Sequence, residues 1–166
     1  MLTSHELLGF MSQDLALEIV QYAFENDKPI YKATLASVAE AKKLRPVYLE
    51  RQPKNQRHSL MLSVLTRPAQ EVVTASLIRA WLLKKYKSML MDFLDALKVA
   101  HKEGVVDDLP EQMEEARLRT AVDAILAKYP KEVVAVYLNA FTEMNEVKWP
   151  ALDVMLKADA RLQVGG

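Results

Sequence analysis

The stretch that decides the fold is PAQEVVTASLIRAWLLKKYKSMLMDFLDALKVAHKE, residues 68–103. It contains no glycine, and its only proline is the first residue, where a helix tolerates proline. Leucines recur at the three- and four-residue spacing of an amphipathic helix, as at Leu83, Leu90, Leu94 and Leu97. At 1.5 Å per residue, an unbroken helix of this length measures roughly 50 Å. The stretch therefore predicts a long central helix around which the chain packs.

The same helical period recurs on both sides of this stretch, and no segment shows a convincing strand pattern. Helices are predicted over residues 4–25, 29–44, 55–66, 68–103, 110–127, 130–144 and 150–160. Seven prolines separate these segments, whereas only four glycines occur. We predict an all-α fold, a single domain over residues 1–166 with six to eight helices. They form either an irregular antiparallel bundle or a short HEAT-like α/α array.

Two segments, residues 63–77 and 124–138, resemble each other weakly. Each reads as the end of a helix, a basic residue, a proline and then Glu-Val-Val. A true repeat would favour stacked helical pairs, as in HEAT-like arrays. Convergent chemistry at two helix starts explains the likeness equally well, so both interpretations stay open.

Three segments are predicted to be irregular. Residues 46–54 contain two prolines and form a connector with at most one helical turn. Residues 104–109 form a second connector, because Gly104 suits the end of one helix and the following aspartates suit the start of the next. Residues 162–166 read as a frayed tail that ends in Val-Gly-Gly.

The composition restricts the class of protein. Hydrophobic residues make up 51% and charged residues 27%, and no apolar run approaches the ~20 residues that a membrane span requires. The first residues lack the basic and apolar regions of a secretory signal, so we expect a cytoplasmic protein without membrane insertion. The absence of cysteine excludes disulfides, thiol nucleophiles and cysteine-ligated metals.

The formal net charge of zero conceals three unequal blocks. Residues 1–41 carry 2 Lys and Arg against 6 Asp and Glu, a net −4. Residues 42–102 carry 13 against 4, a net +9, and residues 103–166 carry 7 against 12, a net −5. Such asymmetry indicates either charged partners or internal pairing between the blocks.

The candidate surface for a partner or a polyanion lies in the basic block. Guanidinium and ammonium groups bind carboxylates and phosphates, and an interleaved aromatic ring can stack on a base. The candidate residues are Lys42, Lys43, Arg45, Tyr48, Arg51, Lys54, Arg57, Lys84 and Lys87. The last two belong to a lysine ridge predicted on the exposed face of the central helix. The alternative is that residues 42–57 pair with the protein's own acidic flanks or remain solvated.

No catalytic or cofactor motif accompanies these residues. The three histidines, His5, His58 and His101, lack the spacing of metal-binding motifs, so no metal is predicted. Acidic residues cluster over residues 107–115, where the start of a helix stabilises exposed carboxylates without any catalytic role. We therefore predict no catalytic residue and no cofactor.

The sequence resembles no known family closely enough to transfer a function. Our first hypothesis is a non-enzymatic protein–protein interaction module that binds a partner protein or a second copy of itself. The alternative is nucleic-acid or polyanion binding through residues 42–57. An enzyme with a site assembled from distant residues is the third hypothesis, and a small-molecule ligand is not predicted either way.

Overall fold

The computed structural model describes residues 2–165 and confirms the predicted all-α class. The α-helices are α1 (Ser4–Phe10), α2 (Gln13–Asn26), α3 (Lys28–Ala41), α4 (Pro46–Glu50), α5 (Lys54–Leu65), α6 (Glu71–Lys85), α7 (Lys87–Ala96), α8 (Glu115–Lys128), α9 (Lys131–Asn145) and α10 (Pro150–Ala158). Short 3₁₀ turns cover Pro68–Gln70 and Ala160–Leu162. Over residues 2–165 no strand forms, and the one β-like feature is an isolated bridge between Lys102 and Val105.

The described chain divides into two units, residues 3–81 and 82–165, which we term the N-terminal and C-terminal units. Leu2 groups with the second unit, and the boundary falls within α6. Two compact units can belong to one domain or to two. The single domain over residues 1–166 therefore stays a prediction.

The N-terminal unit is built around α2, which packs against α3 and α5. Each of its first five helices contributes buried apolar side chains, among them Leu7, Ile19, Leu35, Leu49 and Met61. Full burial of one such side chain contributes roughly 1.5–3 kcal/mol relative to leaving it in water. The core therefore depends on all five helices, including the short α4.

The helix predicted over residues 4–25 is divided into α1 and α2. Met11 is extended, with ψ 164°, and ends α1. Ser12 then caps α2, because its hydroxyl accepts a hydrogen bond from the backbone N–H of Leu15 at 3.2 Å. This division, the short helix α4 and the break between α6 and α7 together explain why the described residues form ten α-helices rather than the six to eight predicted.

A carboxylate from α6 holds the start of α1. Glu71 Oε2 accepts the N–H of Ser4 at 2.9 Å, and Oε1 accepts the N–H of His5 at 2.7 Å. The first N–H groups of a helix have no partner within the helix, and the positive end of its dipole attracts a negative charge. Glu71 therefore acts as a tertiary cap that joins residues distant in sequence.

The continuous helix predicted over residues 68–103 is wrong. In the structure, this stretch begins with a 3₁₀ turn, and Tyr86 (φ −113°, ψ 28°) separates α6 from α7. The second of these helices ends at Ala96. Consecutive residues of a straight helix are rotated by about 100° around its axis. If residues 77–94 formed one straight helix, the buried side chains of residues 77–82 and those of residues 89–94 would face directions about 120° apart. One straight helix cannot bury both sets on one side, so the break lets each half bury its own face.

The C-terminal unit surrounds α9, in which the nine consecutive residues 133–141 are all buried. Trp149 packs against Phe141, with ring centroids 5.0 Å apart, and its Nε1 donates to the carbonyl oxygen of Pro110 at 2.8 Å. That bond ties the non-helical segment between α7 and α8 to the core. The segment covers residues 97–114 and is longer than the connector predicted at 104–109.

Residues 162–166 are predicted to form a frayed tail, but the first two of them contact the rest of the C-terminal unit. Leu162 is fully buried, and its carbonyl oxygen accepts a hydrogen bond from Asn139 Nδ2 at 3.1 Å. Gln163 Nε2 donates to the carbonyl oxygen of Leu156 at 2.6 Å. The last residue of the predicted tail, 166, lies outside the described residues.

We predict that Glu71→Ala lowers the free energy of unfolding by about 1–3 kcal/mol, because two backbone N–H groups lose a charged acceptor. Urea unfolding followed by circular dichroism measures this change. The control is Glu40→Ala, which removes an exposed carboxylate from α3 and should cost less than about 0.5 kcal/mol. Equal losses in the two variants would contradict the capping role of Glu71.

Candidate functional site

The basic segment of residues 42–57 folds as the end of α3, the short helix α4 and the start of α5. Tyr48 is the middle residue of α4, and Arg45 and Arg51 occupy the cap positions at its two ends. Tyr48 and Arg51 are three residues apart along α4, which places their side chains on one side of the helix, and Arg45 precedes the first turn in an extended conformation. All three are exposed, and Tyr48 retains 55% of its accessible surface. The fold therefore exposes an aromatic ring and two guanidinium groups on and beside α4.

Five cations of this segment remain without a counter-ion. They are Lys42, Lys43, Arg45, Arg51 and Lys54, all exposed, and none forms an ion pair with any residue from 2 to 165. Together with Tyr48 we term them the basic surface. Within residues 2–165, no ion pair of these five cations supports the alternative in which the segment pairs with the acidic flanks. These exposed charges can therefore remain solvated or pair with an external group.

Arg57 differs from the other predicted surface residues because it is buried, with 8% of its surface accessible. Its Nη1 donates to the carbonyl oxygens of Glu50 at 2.9 Å and Gln52 at 3.5 Å. Its Cζ lies 5.3 Å from the ring centroid of Phe24 and 5.9 Å from that of Tyr31. The sequence placed Arg57 on an exposed surface, whereas the structure places it beneath α4.

An aromatic cluster surrounds this guanidinium. The rings of Phe24, Tyr31 and His58 meet edge to face, with centroids 5.2–5.6 Å apart. The Tyr31 hydroxyl shares a 2.9 Å hydrogen bond with His58 Nε2. Burial, together with the positive charges of Arg57 and Lys54, lowers the pKa of His58 to about 4, so this imidazole is neutral at pH 7.

The two predicted candidates outside residues 42–57 lie in the other unit. Lys84 is at the end of α6 and Lys87 at the start of α7, both within the C-terminal unit. Lys87 forms an ion pair with Glu103, with Nζ 3.1 Å from Oε2. The lysine ridge was predicted on an unbroken helix, and the break at Tyr86 separates its members onto different helices.

A cleft of about 400 Å³ opens beside the buried guanidinium. We term it the aromatic cleft, and it is lined by Phe24, Lys28, Tyr31, Lys32, Leu35, Glu50 and Arg57. Apart from Arg57, the sequence analysis identified none of these residues. The available signal was the i, i+4 spacing of Lys28 and Lys32, which places both ammonium groups on one face of α3.

A second cleft, of about 300 Å³, lies between α2 and α5 and includes His58 in its wall. The hydrogen bond between Tyr31 and His58 therefore joins the walls of the two clefts. Within residues 2–165, no group of three or more histidine, aspartate or glutamate side chains is placed to hold a metal ion. In the same part of the chain, no helix is both long and apolar enough to cross a membrane.

Comparison with known proteins identified no relative. No protein-family model matches the chain, and no significant match was found among curated proteins or solved structures.

We predict that His58 makes the protein less stable in mild acid. Between pH 6.5 and 4 the unfolded chain binds a proton at this imidazole and the native chain does not, so the free energy of unfolding falls as the pH falls. From pH 7 to pH 5 the loss is about 2 kcal/mol. Urea unfolding at both pH values should show this loss in the wild type and a smaller one in His58→Gln.

The matched control for His58→Gln is Ser59→Ala, which changes an exposed neighbour on α5 without removing a titratable group. It should keep the wild-type difference between pH 7 and pH 5. An undiminished difference in His58→Gln would show that other groups cause the acid sensitivity.

Proposed function

We propose that the protein is a non-enzymatic interaction module whose basic surface binds an acidic patch on a partner protein. The observation that carries the proposal is the set of five exposed cations on and around α4 that form no ion pair within residues 2–165. Opposite charges across an interface steer association and suppress wrong partners. An acidic partner would supply the missing counter-ions.

The composition of the basic surface also favours a protein partner. Tyrosine and arginine are the residue types most enriched at the energetic centres of interfaces, and Tyr48 lies between Arg45 and Arg51. Val47 is 52% exposed beside Tyr48, so apolar area accompanies the charges. A purely electrostatic surface would not need these two side chains, whereas a protein interface gains affinity by burying them.

Nucleic acid is the second candidate occupant of the same surface. Two guanidinium groups could contact phosphates while the exposed ring of Tyr48 stacks on a base. The chain has a formal net charge of zero, whereas nucleic-acid-binding domains are typically basic. This candidate therefore ranks below the protein partner.

We predict that Arg45→Glu/Arg51→Glu loses at least about tenfold in affinity for the partner, because attraction is replaced by repulsion. Affinity purification with quantitative mass spectrometry compares this variant with the wild type across a salt series. The control, Lys131→Glu/Lys148→Glu, reverses two exposed charges in the C-terminal unit and should retain the partner. If every captured protein bound both double variants equally well, the proposed surface would be wrong.

The alternative occupants are distinguished by two further measurements. Fluorescence anisotropy with labelled single- and double-stranded nucleic acids should stay flat at low salt if the partner is a protein. Saturable binding whose affinity falls linearly with the logarithm of salt concentration, and that is lost in Arg45→Glu/Arg51→Glu, would favour nucleic acid over a protein partner.

Light scattering tests self-association. A second copy bound through the basic surface would give a dimer, and Arg45→Glu/Arg51→Glu would abolish it.

A further inference from the structure

The aromatic cleft adjoins the basic surface, since Lys54 Nζ lies 5.9 Å from the centroid of the Phe24 ring, but it has a different character. Its wall combines the half-buried ring of Phe24 with the phenol of Tyr31, whose centroids are 5.2 Å apart at an angle of 68°. Its volume of about 400 Å³ falls within the range of small-molecule sites. It therefore offers a planar apolar group space beside the partly exposed ring of Phe24.

The charge of Arg57 in the wall of this cleft is not neutralised. No carboxylate within residues 2–165 forms an ion pair with Arg57, and its buried Nε has no hydrogen-bond partner. The carbonyl oxygen bonded to Nη1 and the two aromatic rings replace part of the hydration that the guanidinium loses on burial. A buried cation is normally paired with an anion, because its loss of hydration is costly. The buried charge of Arg57 therefore has no carboxylate counter-ion among the described residues.

Two more cations line the same cleft. Lys28 and Lys32 are four residues apart on α3, both exposed, and neither forms an ion pair with a described residue. Glu50 also lines the cleft, but its carboxylate is not within ion-pair distance of Arg57. Three positive groups against one negative group leave a net positive lining.

We propose that the aromatic cleft binds a small anion with a planar apolar body. Its carboxylate or phosphate group lies between Arg57, Lys28 and Lys32, and its ring lies against Phe24. A guanidinium group recognises either oxyanion through paired hydrogen bonds, and the lysines add attraction without fixed geometry. The anion supplies the missing counter-charge, and its body covers the half-exposed ring.

The test uses four probes on ¹⁵N-labelled protein at constant ionic strength, followed by amide chemical shifts. Phenyl phosphate and benzoate carry both an oxyanion and a ring, inorganic phosphate lacks the ring, and benzyl alcohol lacks the charge. We expect the better ring-bearing anion to bind with a dissociation constant of about 1 mM or tighter, and at least about tenfold more tightly than inorganic phosphate or benzyl alcohol. Whether benzoate or phenyl phosphate binds more tightly identifies the oxyanion.

Variants of the lining residues test whether the probes bind in the aromatic cleft. Arg57→Gln removes the buried charge and Phe24→Ala removes a ring packed against it, whereas Lys32→Gln alters an exposed group and decides the question even if neither of the other variants folds. We expect Phe24→Ala and Lys32→Gln each to weaken the best probe at least about threefold. The control, Lys131→Gln, removes an exposed cation of the C-terminal unit and should leave binding unchanged.

Two results would overturn the proposal. The first is equal affinity for phenyl phosphate, benzoate and inorganic phosphate, which would mean that charge alone attracts the probes. The second is full binding in both Phe24→Ala and Lys32→Gln with shifts centred on residues 42–48, which would place the probe on the basic surface.

Discussion

The buried guanidinium of Arg57 is the contact on which the candidate site depends. It projects from α5, lies against Phe24 of α2 and Tyr31 of α3, and donates to the carbonyl oxygen of Glu50 at the end of α4. One side chain thus joins four helices of the N-terminal unit. Because each burial of a charge without a counter-ion is costly, the surrounding rings and carbonyl oxygens must stay in place to solvate it.

The basic surface is a consequence of this contact. A helix of five residues is too short to be stable in water by itself, because nucleation costs more than one or two turns return. α4 is held instead by the buried side chain of Leu49 and by the hydrogen bond between Arg57 and the Glu50 carbonyl oxygen. Its remaining side chains, Tyr48 among them, then point to solvent between two exposed arginines. The buried Arg57 therefore helps to hold the helix on which the exposed basic surface is built.

The sequence predicted the helical class because the 3.6-residue period is local, and every helix repeats it. It could not predict the break at Tyr86, which depends on what each half of the helix packs against, nor Glu71 as the cap of α1. The basic surface was predicted from charge spacing, but Arg57 was counted with it because arginine is usually exposed. Burial of Arg57 requires Phe24 and Tyr31, which no spacing connects to it. The HEAT-like array and the internal repeat stay predictions, because no solved structure matches the chain.

Amide hydrogen exchange in Arg57→Lys tests this account most directly. Lysine keeps the positive charge but lacks the planar fork that reaches the Glu50 carbonyl oxygen and lies against the rings. The account predicts that amides of residues 47–52 exchange at least about tenfold faster than in the wild type, whereas those of α2 keep their protection. Unchanged exchange over residues 47–52 would show that α4 is held without Arg57, and would contradict the central role given to it.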